Sequence, residues 1–337
     1  MTTPLKADRI EQVAFGFMAS NVLFSTIEFG LFTELAKRPL DANDIQARLK
    51  LHPRGVRDFL DALVALGMLE RRGEIYSNTV ETDFYLDRAK PTYIGHYVEI
   101  LSLRQYQLFS TLSEAVRTGD PQNEIKSGDE DWVDAMYRTP ERLRMFLRAM
   151  TGHSLPSAMA IAQKFPWAKY KTFADIGTAE GCLAVQVALA NPHIVGEGFD
   201  LPAVQPFFQE YVASFGLQER LTFRAGDFFK EPLPRADVLV MGMILHDWNL
   251  EQKRALLKKA YDALPDGGAL IVYEHLIDDE RRKNIAGLLM SLIMLIETQG
   301  GFDYTGADCC KWMREAGFNE TRVEQLTGVE SMVAGIK

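Results

Sequence analysis

From residue 171 onward, short apolar runs alternate with longer amphipathic stretches. That alternation predicts a parallel sheet wound with helices on both faces, an α/β doubly wound, Rossmann-like fold. A strand is expected over 171–175 and a helix over 182–190, joined by a turn containing Gly177 and Gly181. Further strands are expected over 195–199, 221–225, 236–243 and 269–274, with a helix beginning at Glu251 before the last of them. The stretch 285–296 carries no charge and reads as a buried helix, broken by Gly300 and Gly301. Two final runs, 321–326 and 331–336, read as a closing antiparallel pair.

The N-terminal part has a different texture. Residues 41–49 predict a short helix capped by Asp41, and 53–69 a second with Phe59, Leu63 and Leu66 on one face. A hairpin over 69–76, turning near Gly73, completes a winged-helix arrangement. Its second helix would read DNA in a binding protein, yet Arg54 and Arg57 are offset by Asp58 and Asp61. The charge balance favours a dimerisation platform. Residues 13–32 hold one charged side chain, Glu28, over a length able to span a bilayer. Ser20, Asn21, Ser25 and Thr26 interrupt the run, and a subunit interface is expected in place of a membrane span. Three segments follow: 1–90 for dimerisation, 91–170 as linking helices, and 171–337 as the catalytic domain. The linking segment supplies Tyr97, Tyr106 and Tyr137 beside Arg142, candidates for holding an acceptor or its carboxylate.

Composition narrows the function classes. A length of 337 residues suits two domains, and a net charge of -9 argues against a nucleic-acid partner. Cys182, Cys309 and Cys310 cannot form a disulfide framework, no spacing fits zinc, and no metal is expected. The first residues lack a signal-peptide pattern, so a cytoplasmic protein is expected.

Candidate chemistry sits at strand ends. Asp175, Gly177 and Gly181 surround a strand–turn–helix junction of the kind that lets a nucleotide approach the main chain. Asp200, 25 residues after Asp175, is placed to accept hydrogen bonds from both hydroxyls of a ribose. Asp227 and Phe228 offer an acid and a ring to an adenine. His246 follows the fourth strand, and an imidazole titrates near working pH. The plainer reading of His246-Asp247 is a helix-entry cap, Asp being a good N-cap residue.

Taken together, Asp-Ile-Gly-Thr-Ala-Glu-Gly181, Phe-Asp-Leu-Pro202, Gly-Asp-Phe-Phe229, Leu-His-Asp-Trp248 and Leu-Pro-Asp-Gly-Gly268 carry a family likeness. The chain resembles the S-adenosylmethionine-dependent methyltransferases of the caffeic acid and acetylserotonin O-methyltransferase type, over nearly its whole length. The resemblance implies a seven-stranded catalytic sheet, a winged-helix homodimer, S-adenosylmethionine as cofactor and a small-molecule acceptor. By position it implies that Gly177 passes beneath the methionyl part, that Asp200 and Leu201 hold ribose and adenine, and that Asp227 and Phe228 contact the adenine. Met243 is grouped with these cofactor contacts. His246 falls on the family's general base, with Asp247, Glu274 and Asp303 at or near it, and Met150 and His153 match the segment that approaches the acceptor.

Three departures stand out. The glycine run is thinned to Gly177-Thr178-Ala179, the acid after the double glycine is the shorter Asp303, and Gly242-Met243 replaces a lysine common before the base. Methylation of a hydroxyl with His246 as base is the leading expectation. Methylation of a thioether sulfur in a small acid, or of an amine, needs no base and remains open. So do a relative with other chemistry and a regulatory protein.

Overall fold

The computed structural model describes residues 6–123, 126 and 136–337. The chain forms two compact units, Met1–Gln105 and Tyr106–Lys337.

In the first unit, Asp41 caps the helix Ala42–Leu49 by accepting the Asp44 N–H at 2.8 Å. The helix Pro53–Ala65 starts with proline in its first turn and buries Val56, Leu60 and Leu63. It ends four residues earlier than the apolar pattern suggests, because Gly67 turns the chain at φ +72° into the next strand. Three short strands, β1 (Leu40–Asp41), β2 (Leu69–Arg72) and β3 (Ile75–Asn78), pair in the order β1-β3-β2. The helical unit thus carries a small sheet as its wing. Asp61, which the sequence sets against Arg57, also binds Arg71 and the Tyr76 hydroxyl and ties its helix to the hairpin.

The apolar stretch near the N-terminus divides into helices Asp8–Ala14, Gly16–Phe29 and Leu31–Lys37. Within this chain Gly16–Phe29 buries only Thr26 and Ile27, which leaves its apolar side chains open as a subunit interface requires. Among the described residues, Asp8–Phe29 is the one stretch long and apolar enough to cross a membrane.

The second unit is built on seven strands: β4 (Thr172–Ile176), β5 (Val195–Asp200), β6 (Leu221–Ala225), β7 (Val238–Gly242), β8 (Ala269–Glu274), β9 (Glu320–Thr327) and β10 (Glu330–Ile336). Their order is β6-β5-β4-β7-β8-β10-β9. The first five run parallel, and β10 is antiparallel to both β8 and β9. β7 starts at Val238, later than the apolar run implies, because Asp237 turns its carboxylate to the N–H groups of Lys171 and Thr172 at 2.8 and 3.0 Å. Every residue of β8 is buried, as a central parallel strand covered on both faces requires. Strand order reverses between β4 and β7, where such sheets open a crevice at their carboxyl ends.

Candidate active site

That crevice is a cavity of about 540 Å³, within the size range of small-molecule sites. Its floor is the turn after β4. Gly177 holds φ +73°, and a Cβ there would lie 2.3 Å from Ile244 Cδ1. Gly181, at φ +91°, opens the helix Cys182–Ala190. Between them Ala179 adopts φ 51° and sends its N–H to Asp200 Oδ2 at 2.9 Å. Asp200 also accepts the Leu201 N–H at 2.7 Å and the Tyr137 hydroxyl. Burial nevertheless raises its carboxyl to about 6, because three donors only partly replace lost water. Burial likewise pushes Asp175 to about 7, with the Thr178 hydroxyl at 2.8 Å working against it.

Asp227 lies on the same wall. Burial raises its carboxyl, but the Phe229 N–H at 2.8 Å and the Lys230 ammonium at 3.0 Å outweigh it and hold the group below the usual range. Phe228, Phe229 and Trp248 meet edge to face, with Phe229 and Trp248 centroids 4.6 Å apart. A buried carboxylate for paired hydroxyls, a second acid and an aromatic wall fit the donor and ring pattern of an adenosine.

Past β7 the turn Leu245–Asp247 carries the second group of residues. The His246 N–H donates to Glu274 Oε1 at 3.1 Å. Its ring lies between two acids, with Nδ1 3.4 Å from Asp303 Oδ1 and Nε2 3.6 Å from Asp247 Oδ1. Burial alone would pull His246 down. The charges of Asp247, Asp303 and Glu274 overcome it and drive the imidazole to about 10. Burial pushes Asp247 up to about 7 and raises Glu274. Asp247 is not a helix cap: Asn249 fills that role for Leu250–Ala263, in a reciprocal capping box with Gln252. Asp247 and Trp248 line the cofactor-sized cavity and also a neighbouring one of about 690 Å³, bordered by Gln122, Asn249, Glu297 and Gly300.

The cavity therefore collects Asp175, Gly177, Asp200, Leu201, Asp227, Phe228, Met243, Asp247, Met150 and Tyr137. Gly181 stands beside it as the helix cap, and His246, Glu274 and Asp303 cluster next to Asp247. The remaining substrate candidates lie elsewhere. Arg142 is exposed at the start of the helix Pro140–Lys164, and Tyr106 is exposed and off the cavity wall. Tyr97 belongs to the first unit. His153 turns from the cavity toward Glu330, at 3.4 Å, and His275, whose ring centroid is 5.0 Å away. There burial pulls His275 down to about 4. Glu330 is raised by burial but held low overall by its bond to His153.

Sequence reasoning missed Lys253, a fully buried lysine beside the acid cluster. A signal existed. Residues 253, 256, 257 and 260 share one helix face, and the other three are core residues.

Comparisons with known proteins identify the family. Residues 109–319 match the O-methyltransferase domain and residues 11–88 the O-methyltransferase dimerisation domain. The chain is 42% identical, over 97% of its length and 96% of the relative's, to the tetracenomycin polyketide synthesis 8-O-methyl transferase TcmO of Streptomyces glaucescens. It is 37% identical, over 82% of each chain, to the N,N-dimethyltransferase OxyT of Streptomyces rimosus. Human N-acetylserotonin methyltransferase, solved in complex with S-adenosylmethionine, superposes with a TM-score of 0.87 at 29% identity, covering 100% of this chain and 99% of that one. Shared catalytic and dimerisation domains make this chain a member of the O-methyltransferase family, S-adenosylmethionine-dependent enzymes that methylate small molecules.

Proposed function

We propose that the enzyme methylates a hydroxyl on a fused aromatic ring system, with His246 as general base. The carrying observation is the imidazole wedged between Asp303 on Nδ1 and Asp247 on Nε2, next to the cavity wall. When bound, S-adenosylmethionine supplies a methyl group on a positively charged sulfur, open to in-line displacement. Asp200 would accept the ribose hydroxyls, Asp227 and Phe228 would face the adenine, and Gly177 would leave room for the methionyl chain. Asp303 would fix the tautomer and tilt of the ring. His246 Nε2 would take the acceptor's O–H proton as its oxygen forms the new bond to carbon. The remaining work is alignment and exclusion of water, which the buried walls provide. A fused aromatic acceptor is favoured because a relative from Streptomyces sahachiroi, 33% identical over 97% of this chain, is named as a 3-hydroxy-5-methyl-1-naphthoate 3-O-methyltransferase.

His246→Ala tests the base. Labelled methyl transfer to hydroxylated naphthoates and larger fused phenols should fall at least ~100-fold, with cofactor binding retained. Turnover near that of the parent would remove His246 from the chemistry. A second reading, N-methylation, is favoured by the relative named as an N,N-dimethyltransferase. An amine free of its proton needs no base, so label on an amine with an indifferent His246→Ala variant would select it.

We further infer a cytoplasmic homodimer joined through residues 1–90, with 91–170 shaping the acceptor site and 171–337 holding the cofactor. A net charge of -9 supports the absence of nucleic-acid and membrane partners.

A further inference from the structure

Away from the cofactor cavity, three elements of the second unit bring His153, His275 and Glu330 together. His153 lies midway along the helix Pro140–Lys164, His275 directly follows β8, and Glu330 opens β10. The register that pairs Ser331 with Glu274 sets Glu330 beside His275. The β9–β10 ladder slips between Glu330 and Ser331, an irregularity of the kind that re-aims a side chain. All three side chains are more than nine-tenths buried, and their ligand-type atoms lie within 4.8 Å of one another.

Hydrogen bonding accounts for only part of this cluster. Ser157, one turn beyond His153 on the same helix face, donates its hydroxyl to Glu330 Oε2. Glu330 Oε1 is thereby left to face both rings, 3.4 Å from His153 Nε2 and 3.7 Å from His275 Nε2. A proton shared between His153 and Glu330 would suit those two alone. His275 makes no hydrogen bond among the described residues: Nδ1 has no partner, and 3.7 Å to Glu330 exceeds hydrogen-bond reach. An imidazole buried in that state costs about 1–3 kcal/mol unless something binds it.

We propose that His153, His275 and Glu330 form a zinc site, with a water at the fourth corner. Two imidazoles and a carboxylate are donors that zinc takes, and three protein ligands with one open position is a common zinc arrangement. With bonds of about 2.0–2.1 Å, donors at tetrahedral corners stand about 3.3 Å apart, and two ligating imidazoles have centroids roughly 5 Å apart. The separations of 3.4 and 3.7 Å from Glu330 Oε1, and of 5.0 Å between the rings, need closing by only a few tenths of an ångström. The Ser157 hydroxyl would orient the carboxylate from outside the metal's ligand set. No local motif signals the site, because its members are separated by 122 and 55 residues along the chain. The ion would clamp the helix carrying Met150 and Ser154 to the strand whose Glu274 accepts the His246 N–H. This inference is independent of the reading of His246 as the base.

The test uses the full chain without a histidine tag, stripped of metal by a chelator and titrated with zinc by calorimetry. One zinc per chain is expected, and zinc at a hundredfold excess over Kd should raise the melting temperature by roughly 5 °C. His275→Ala and Glu330→Gln should each weaken binding at least ~100-fold. A parent that takes up no zinc would overturn the proposal, as would equal affinity in either folded variant, which would place the metal elsewhere. X-ray absorption on the zinc-loaded parent needs no variant. Two imidazoles with oxygen at about 2.0–2.1 Å are expected, and sulfur in the shell would overturn the site by assigning the metal to cysteines.

Discussion

Ala179 bonds its N–H to Asp200 Oδ2 at 2.9 Å while holding a left-handed φ of 51°. An alanine adopts that conformation at a cost of roughly 1–2 kcal/mol, which the surrounding contacts must repay. The turn thereby keeps the Asp200 carboxylate fixed and partly satisfied.

Cofactor affinity should follow the charge of Asp200. Its folded pKa of about 6 lies above the ordinary carboxylate value, so the ionised, accepting form dominates only above pH 6. Calorimetric titration with S-adenosylmethionine should weaken as pH falls from 7 to 5. Asp200→Ala should lose measurable binding, and Asp200→Asn should bind weakly without that pH dependence. Full affinity in the alanine variant would show that the ribose lies elsewhere.

This half of the site was legible in the sequence because it depends on local order. Asp175, Asp200 and Asp227 each follow an apolar run, and a parallel sheet brings successive strand ends to one edge. Side-chain direction was not legible. Met150 and His153 are three residues apart on one helix, yet Met150 lines the cavity and His153 faces Glu330, on a strand that begins 177 residues later. Tyr137 was legible only as a possible acceptor contact; its bond to Asp200 depends on how its segment packs. The exposed face of Gly16–Phe29 was hidden for another reason, since a uniformly apolar helix does not say which of its sides a second copy covers.

Asp303 should help to set the pH at which the His246 imidazole becomes free of its proton. The Asp247, Asp303 and Glu274 charges raise His246 to about 10, so turnover in the parent should climb with pH through the neutral range as the imidazole loses its proton. Asp303→Asn removes one of those charges. The rising limb should shift to lower pH, while the plateau falls about tenfold or more because Nδ1 loses its orienting partner. The measurement is kcat against pH with a hydroxyl acceptor found in the screen. A limb that stays in place would mean that Asp303 does not govern the histidine.

The N-terminal helices supply the last prediction. Val13 is 75% exposed, Phe15 55% and Phe17 50%, and Ile10 and Met18 are exposed beside them. A cluster of this size is unusual on a monomer's surface and marks a contact. All but Ile10 fall within the region that matches the O-methyltransferase dimerisation domain, and a second copy of the same helices would cover the cluster in an isologous interface. Size-exclusion chromatography with light scattering should give twice the 38.0 kDa chain mass for the parent. Phe17→Glu combined with Val13→Glu should give the single-chain mass, because each substitution would bury an unpaired carboxylate twice across the two-fold axis. A parent at the single-chain mass would refute the interface. Sedimentation of the parent with phosphatidylglycerol vesicles would instead assign the same apolar face to a lipid surface.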